Sequence, residues 1–257
     1  MKQTIAIISQ KGGVGKTTTA INAGAYLAKA GKSVLIVDFD PQANATSGLG
    51  LTKTKNSVTS YDVILNTAKL SDAVKETAVS KLYVLPASPA LAATEVELAS
   101  TSGRETKLKK ALELAEYDFV LIDCPPSLGL LSINALVASD SLIIPVQTEY
   151  YALEGLAQLL DTIQRVRQSL NPKLELLGIL STMYDKRTNL SSQVSDELNN
   201  YFGEKVFNTV IPRNVKLAEA PSFGKPILQY DRWSKGAKAY KQLASEMIAR
   251  IGSKSGK

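Results

Sequence analysis

Between Ser9 and Ala20 the chain reads SQKGGVGKTTTA, with two lysines five residues apart around three glycines, directly behind the apolar run Ile5–Ile8. Glycines at positions 12, 13 and 15 allow the backbone to curl until successive N–H groups face one anion, and a helix beginning there adds its positive end. In that setting Lys16 would reach the β- and γ-phosphates of a nucleotide and the Thr17 hydroxyl would ligate Mg²⁺. Gly12, Gly13, Val14, Gly15 and Thr18 would complete the cradle. One lysine is enough for this chemistry. Lys11 therefore needs a separate reason, and it stands beside Gln10, which occupies the first glycine position of the G-x-x-x-x-G-K-[ST] pattern. A second group with chemical potential lies in FVLIDCPPSLG, an apolar run ending in Asp123, where a strand-end carboxylate can hold Mg²⁺ through water. Cys124 beside it reads as a small buried filler.

Such residues act together only if strands deliver them to one edge. The runs TIAIIS, SVLIVDFD, LYVLPAS, DFVLID, SLIIPVQ, LELLGILSTM and VFNTVIP are continuously apolar rather than alternating, the pattern of strands covered on both faces. Helical stretches fall between them. TTTAINAGAYLAKAG closes on Gly31, a good C-cap, and LSSQVSDELNNYF spaces Leu190, Val194 and Leu198 four residues apart. The expected fold is a single doubly wound α/β domain over residues 1–251, a mostly parallel sheet flanked by helices, with 252–257 as a disordered tail.

Composition excludes several chemistries. The 257 residues include no histidine and one cysteine, which leaves no imidazole catalysis, no Cys- or His-built metal site and no intrachain disulfide. No apolar run approaches the ~18 residues that would span a bilayer, and the N-terminal apolar stretch is too short for a secretory leader. A cytoplasmic protein is expected. The net charge of +6 is unevenly placed: residues 1–180 carry 17 Lys/Arg and 17 Asp/Glu, residues 181–257 carry 13 against 7. A segregated excess suggests a surface that meets a polyanion.

The motif KGGVGKTT resembles the deviant Walker A motif of the ParA/MinD ATPases. DPQANAT and TVIPRNVKLAEAPSFGKPILQYD extend the resemblance over residues 2–250, nearest the short chromosomal ParA proteins of the Soj type. The resemblance implies an ATP hydrolase that uses ATP and Mg²⁺. It implies that Lys11 crosses a dimer interface to touch the phosphates of ATP on the other subunit, with Gly12 and Gly13 kept free of side chains for close approach. Asp40 would orient the attacking water and face the metal together with Thr17 and Asp123, while Pro212 and Asn214 would meet the adenine. A strand-end carboxylate is adequate for Asp40's role, since phosphoryl transfer depends on positioning more than on a strong base. Two departures stand out. Ala43 occupies a position where many relatives have glycine, implying that no positive φ is needed there, and Phe223 stands where many have histidine.

Between Arg213 and Lys241 lie Lys216, Lys225, Arg232, Lys235 and Lys238, opposed by Glu219 and Asp231. On a helix near 235–251, Tyr240, Ala244, Met247, Ile248 and Ile251 would share one face and Lys235, Lys238 and Lys241 the other. Such a stripe suits phosphate contact without base reading. Arg187 matches a position implicated in DNA binding among Soj relatives. The expected protein is an ATP-dependent homodimer that binds double-stranded DNA non-specifically, associates with the nucleoid and partitions chromosome or plasmid DNA with a ParB-type partner. No membrane attachment is expected. Alternatives are the same switch carrying another cargo over the nucleoid, a MinD-like membrane ATPase, and a ligase akin to dethiobiotin synthetase. A nitrogenase-type iron protein would need two cysteines from each subunit.

Overall fold

The computed structural model describes residues 2–52, 57–149 and 154–253. Among these, seven strands form one sheet: β1 (Gln3–Ile7), β2 (Val34–Asp38), β3 (Lys75–Glu76), β4 (Leu82–Leu85), β5 (Phe119–Asp123), β6 (Ser141–Gln147) and β7 (Glu175–Thr182). Their order is β3-β4-β2-β5-β1-β6-β7, and every neighbouring pair is parallel except β3–β4. Successive residues of a strand enter opposite cores. Ala6, Leu35, Val37, Val120 and Ile122 face one, and Ile5, Ile7, Val34, Ile36 and Leu121 face the other. Both faces are dry, which is why the strands read as unbroken apolar runs.

Helices Lys16–Lys29 and Lys235–Gly252 cover the second face and pack on each other. Helices Leu130–Ala138 and Asn189–Phe202 contribute to the first. Lys16–Lys29 has Ala30 as its C-cap, and Gly31, expected as the cap, follows it with φ 91°. The N–H of Gly31 bonds to Ala28 O and that of Lys32 to Leu27 O, the reciprocal pair of a Schellman stop.

The chain leaves β1 and crosses to β2 on one side, and later fills β6 on the other. The crevice above the C-terminal end of β1 is therefore the point where this sheet binds ligands. β5 lies between β1 and β2, with Asp123 in register with both Ile7 and Asp38. That insertion brings the two strand-end carboxylates beneath the loop that follows β1.

Four details depart from expectation. VFNTVIP forms no strand. It meets β7 through an isolated bridge of Val206 to Ile179 and single bonds from Phe207 N and Ile211 N to Ile179 O and Ser181 O, and Pro212 bridges Tyr184 just beyond β7, but between them the N–H groups of Asn208 and Thr209 donate to Glu246 at 2.9 and 3.0 Å. Pro212 has no N–H to offer. β3, two exposed charged residues, carries no apolar signal. Of the three aligned residues in Asn189–Phe202, Val194 and Leu198 are buried, but Leu190 is 38% exposed. The last helix runs through Gly252 with Ser253 as its cap, and tail residues 254–257 lie outside the described residues.

Around the broken edge, Arg250 donates to Leu177 O and Val206 O at 3.0 and 2.6 Å and lies 4.2 Å over the Phe207 ring. Gly178 makes this packing possible, because a Cβ there would come within 2.5 Å of Phe207 Cε2. A buried ring cannot yield as a flexible side-chain end would. Gly178→Ala is therefore expected to cost about 1–3 kcal/mol, read as a lower urea midpoint with an unchanged m-value.

Candidate nucleotide site

The loop after β1 has backbone geometry suited to an anion. Gly13 and Gly15 take φ of 74° and 89°, and Gly15 is the N-cap of helix Lys16–Lys29. No side chain caps that helix and its first turn holds no acidic residue, so its leading N–H groups remain available to a ligand. Val14 is buried, and its carbonyl accepts a 2.9 Å bond from Thr182 Oγ1, pinning the loop to the end of β7. Lys16 is 6% exposed and turns its Nζ onto Lys11 O at 3.3 Å. Burial lowers its pKa, opposed by the negative charge of Asp123 and Asp40. Thr17 and Thr18 line a cavity of about 260 Å³ with Asn22, Asn44 and Lys225. Gly12 and Gly13 are exposed, and a Cβ on Gly12 would meet nothing within 4 Å.

Beneath the loop sit three carboxylates. Asp38 accepts from Thr46 N and Thr46 Oγ1 at 2.7 and 2.6 Å, and Ala87 N donates to the same hydroxyl at 3.0 Å. Burial still pushes the Asp38 carboxyl up to about 6. Asp40 is 8% exposed and accepts from Gln42 N at 2.9 Å. Asp123 is fully buried, and neither of its carboxylate oxygens has a hydrogen-bond partner. Burial first, and the charge of Asp38 second, raise its pKa well above the carboxylate range, while Thr17 and Lys16 pull the other way.

A divalent cation suits this arrangement. Unpartnered carboxylate oxygens in a dry, acid-rich site with a threonine hydroxyl close by are hard oxygen donors. No group of three or more acidic or cysteine side chains forms a complete metal cage among the described residues. That also fits Mg²⁺, which keeps several waters and takes the rest of its shell from phosphate.

Position 43 is a correction. Ala43 does adopt the left-handed region, φ 53° and ψ 43°, as N-cap of helix Asn44–Gly48. Its N–H bonds to Asp40 O at 2.8 Å, so the turn that carries Asp40 imposes the conformation, and full burial of the methyl offsets part of the strain. Phe223 is 62% exposed with its ring centroid 5.0 Å from that of Tyr230.

The segment expected at the base is held beside the loop. Glu149 pairs with Lys11 at 3.3 Å and with Arg213 at 3.8 Å. Pro212 and Asn214 flank Arg213. Asn214 Oδ1 is buried without a partner, an open acceptor for an exocyclic amino group. Gly236 lets the last helix approach Leu217 just beyond, since a Cβ there would lie 2.6 Å from Leu217 Cγ.

The basic residues divide into two sets. Arg187 is locked on Asp185 through two bonds of 2.9 and 2.7 Å, and Lys216 is paired with Glu219 at 2.9 Å. Lys235, Lys238 and Lys241 are exposed on one stripe and have no ion pair among the described residues. Tyr240, Leu243, Ala244 and Met247 on the opposite face are buried. Sequence reasoning did not single out Thr46, Thr182 or Glu149. Each acts through a fold contact distant in the chain, and no local motif marks it.

Fold and site define a phosphate-loop nucleotide-binding α/β protein. The AAA domain family model matches residues 2–176. The chain is 57% identical over 251 residues to the sporulation initiation inhibitor protein Soj of Bacillus subtilis (strain 168), covering 97% of this chain and 99% of that protein. It is 50% identical to the chromosome partitioning protein ParA of Caulobacter vibrioides, covering 96% and 94%. Among solved structures, a Mycobacterium smegmatis protein described as cobyrinic acid a,c-diamide synthase, with bound ADP and magnesium, superposes with a TM-score of 0.88 at 39% identity, covering 100% and 97%. The chain belongs to the Soj/ParA family of chromosome-partitioning ATPases.

Thr46 is the clearest support of the acidic site. Thr46→Val removes a hydroxyl bonded both to a buried carboxylate and to a buried N–H. The expected loss is about 1.5–3 kcal/mol of unfolding free energy, measured by urea titration.

Proposed function

We propose that this protein is a dimerising Mg·ATPase that binds DNA in its ATP state and partitions chromosome or plasmid DNA with a ParB-type partner. The observation that carries the ATPase reading is an uncapped helix start and a buried Lys16 set against Asp123, both of whose carboxylate oxygens lack a partner. An arrangement of this kind is stabilised by a bound phosphate and cation. The names of the Soj and ParA relatives support the partitioning role.

When ATP binds, Lys16 leaves the Lys11 carbonyl for the β- and γ-phosphates, and the N–H groups of the loop donate to phosphate oxygens. Thr17 and Asp123, with Asp40, would hold the Mg²⁺, which when bound would supply neutralisation of phosphate charge. Asp40 orients the attacking water, its carboxylate fixed by the Gln42 N–H. Asn214 accepts from the adenine amino group and Pro212 packs on the ring. Lys11 releases Glu149 and reaches the nucleotide of a second subunit. Two triphosphate-bearing faces repel unless cations lie between them, so closure depends on nucleotide.

Lys235, Lys238 and Lys241 form the surface for DNA phosphates, and Arg187, Arg213 and Lys216 would add to it by giving up their ion pairs with Asp185, Glu149 and Glu219. One copy neutralises few phosphates, while a dimer offers two linked patches, which can raise avidity by ~10²–10⁴. The protein acts in the cytoplasm on the nucleoid. No described helix is long and apolar enough to cross a membrane. A second reading, a small-molecule ligase, follows from the name of the 39% identical relative. Turnover with a small carboxylate or amine, indifferent to DNA and partner, would favour it.

Two variants separate the steps. Asp40→Ala is expected to keep ATP binding, lose at least about 100-fold in turnover and stay on DNA as a dimer. Normal turnover would remove Asp40 from the mechanism. The Cβ of Gly12→Val has no atom of its own chain within 4 Å, so the variant is expected to fold and bind ATP as a monomer, with dimerisation lost in light scattering. A Gly12→Val protein that still dimerised with ATP would move the interface elsewhere.

A further inference from the structure

The basic surface carries one feature that electrostatics leaves unexplained. Trp233, the one tryptophan of the chain, is 72% exposed immediately before the lysine-striped helix. Its backbone is fixed. The N–H groups of Trp233 and Ser234 both donate to Asp231 Oδ1 at 3.1 Å, and Ser234 Oγ donates to Asp231 O and accepts from Ala237 N. The Arg232 guanidinium lies 4.9 Å from the indole centroid. A large apolar ring is thus displayed to water on a rigid turn, between a stacked arginine and the unpaired Lys235 and Lys238. Asp231, the one acid of that turn, is occupied by backbone donors.

We propose that Trp233 is an apolar DNA contact, its indole set against deoxyribose and base edges while Arg232, Lys235 and Lys238 take the flanking phosphates. The proposal rests on the DNA reading above and adds to it a component of affinity that does not come from counterion release. Duplex DNA offers both surfaces the patch requires: a regular array of anions, and apolar sugar faces between them. The clustered cations disfavour an identical patch of a second copy. A bilayer is disfavoured because the helix has no free apolar face. Ala237, Tyr240, Leu243 and Met247 are all buried against the body of the protein.

Charge and ring contribute in separable ways. Each lysine that neutralises a phosphate adds about 0.9 to the steepness of log K against log salt, whereas an apolar contact shifts affinity without changing that slope. The test uses the full chain with a slowly hydrolysed ATP analogue, Mg²⁺ and a random-sequence duplex, titrated between about 50 and 200 mM salt. Trp233→Ala is expected to weaken binding by at least about fivefold with an unchanged slope. Trp233→Phe retains most of the affinity, and Lys238→Ala lowers the slope by about 0.9. In the wild-type protein, duplex is expected to blue-shift the tryptophan emission and shield it from acrylamide.

If wild type binds the duplex while its indole stays open to acrylamide and Trp233→Ala binds equally well, the proposal is overturned and the DNA reading stands. If wild type binds no duplex with any nucleotide, both fall. Shielding by nucleotide alone would assign the ring to the dimer interface. Shielding by phosphatidylglycerol vesicles but not by duplex would assign it to a membrane. Either result overturns the proposal.

Discussion

Buried like charge is the constraint from which the rest of the molecule follows. Asp38 and Asp123 are fully buried and in register on adjacent strands, Asp40 lies two residues beyond, and Lys16 is the cation set among them. Charges withdrawn from water at this proximity persist only if the scaffold holds them and a ligand compensates them. The interdigitated order of β1, β5 and β2 does the holding. It brings two strand ends beneath the glycine loop in a sheet whose register cannot slip without inverting every side chain between the two cores. Thr46 satisfies Asp38. Asp123 remains without a partner, and that asymmetry is what the proposed cation would relieve.

The loop itself is secured from distant parts of the chain. Thr182 holds the Val14 carbonyl from the end of β7. Asn22 reaches from the helix behind the loop to Ile227 N at 2.7 Å, and Thr19 meets the Tyr240 hydroxyl at 3.2 Å inside the protein. All three contacts tie residues within the first 22 to residues beyond 180, so the phosphate loop and the basic C-terminal region are parts of one packed unit.

What sequence could reveal depended on whether its cause was local. Strands covered on both faces announce themselves as apolar runs, and six of the seven runs are strands. The seventh, VFNTVIP, has the right composition and still fails, because Glu246, some forty residues on, captures two of its N–H groups. No local pattern encodes that competition. The phosphate loop was legible because its chemistry depends on glycines and a lysine at fixed spacing. Asp38 stands near the end of the apolar run SVLIVDFD, but its task of anchoring Thr46 is not legible there, since residue types alone do not show which acid will be satisfied and which left open. Ala43 misled for a related reason. A turn required by Asp40 forces an alanine into a backbone region that its residue type disfavours.

The fixed packing of the last helix bears on how nucleotide could control DNA binding. The lysine stripe is the outer face of a helix whose inner face, with Tyr240, Leu243 and Met247, is dry against the phosphate-loop helix. Moving that stripe relative to the loop would open a close-packed interface, and burial at about 25 cal/mol per Å² makes such an opening costly. Under the proposed function, ATP would therefore gain little by reshaping the basic surface of one subunit. Joining two such surfaces through Lys11, as proposed, would need no internal rearrangement of the helix pair and would multiply weak contacts into strong ones. On this view the switch resides in the number of copies engaged, and the rigidity between nucleotide site and basic helix is what makes that number decisive.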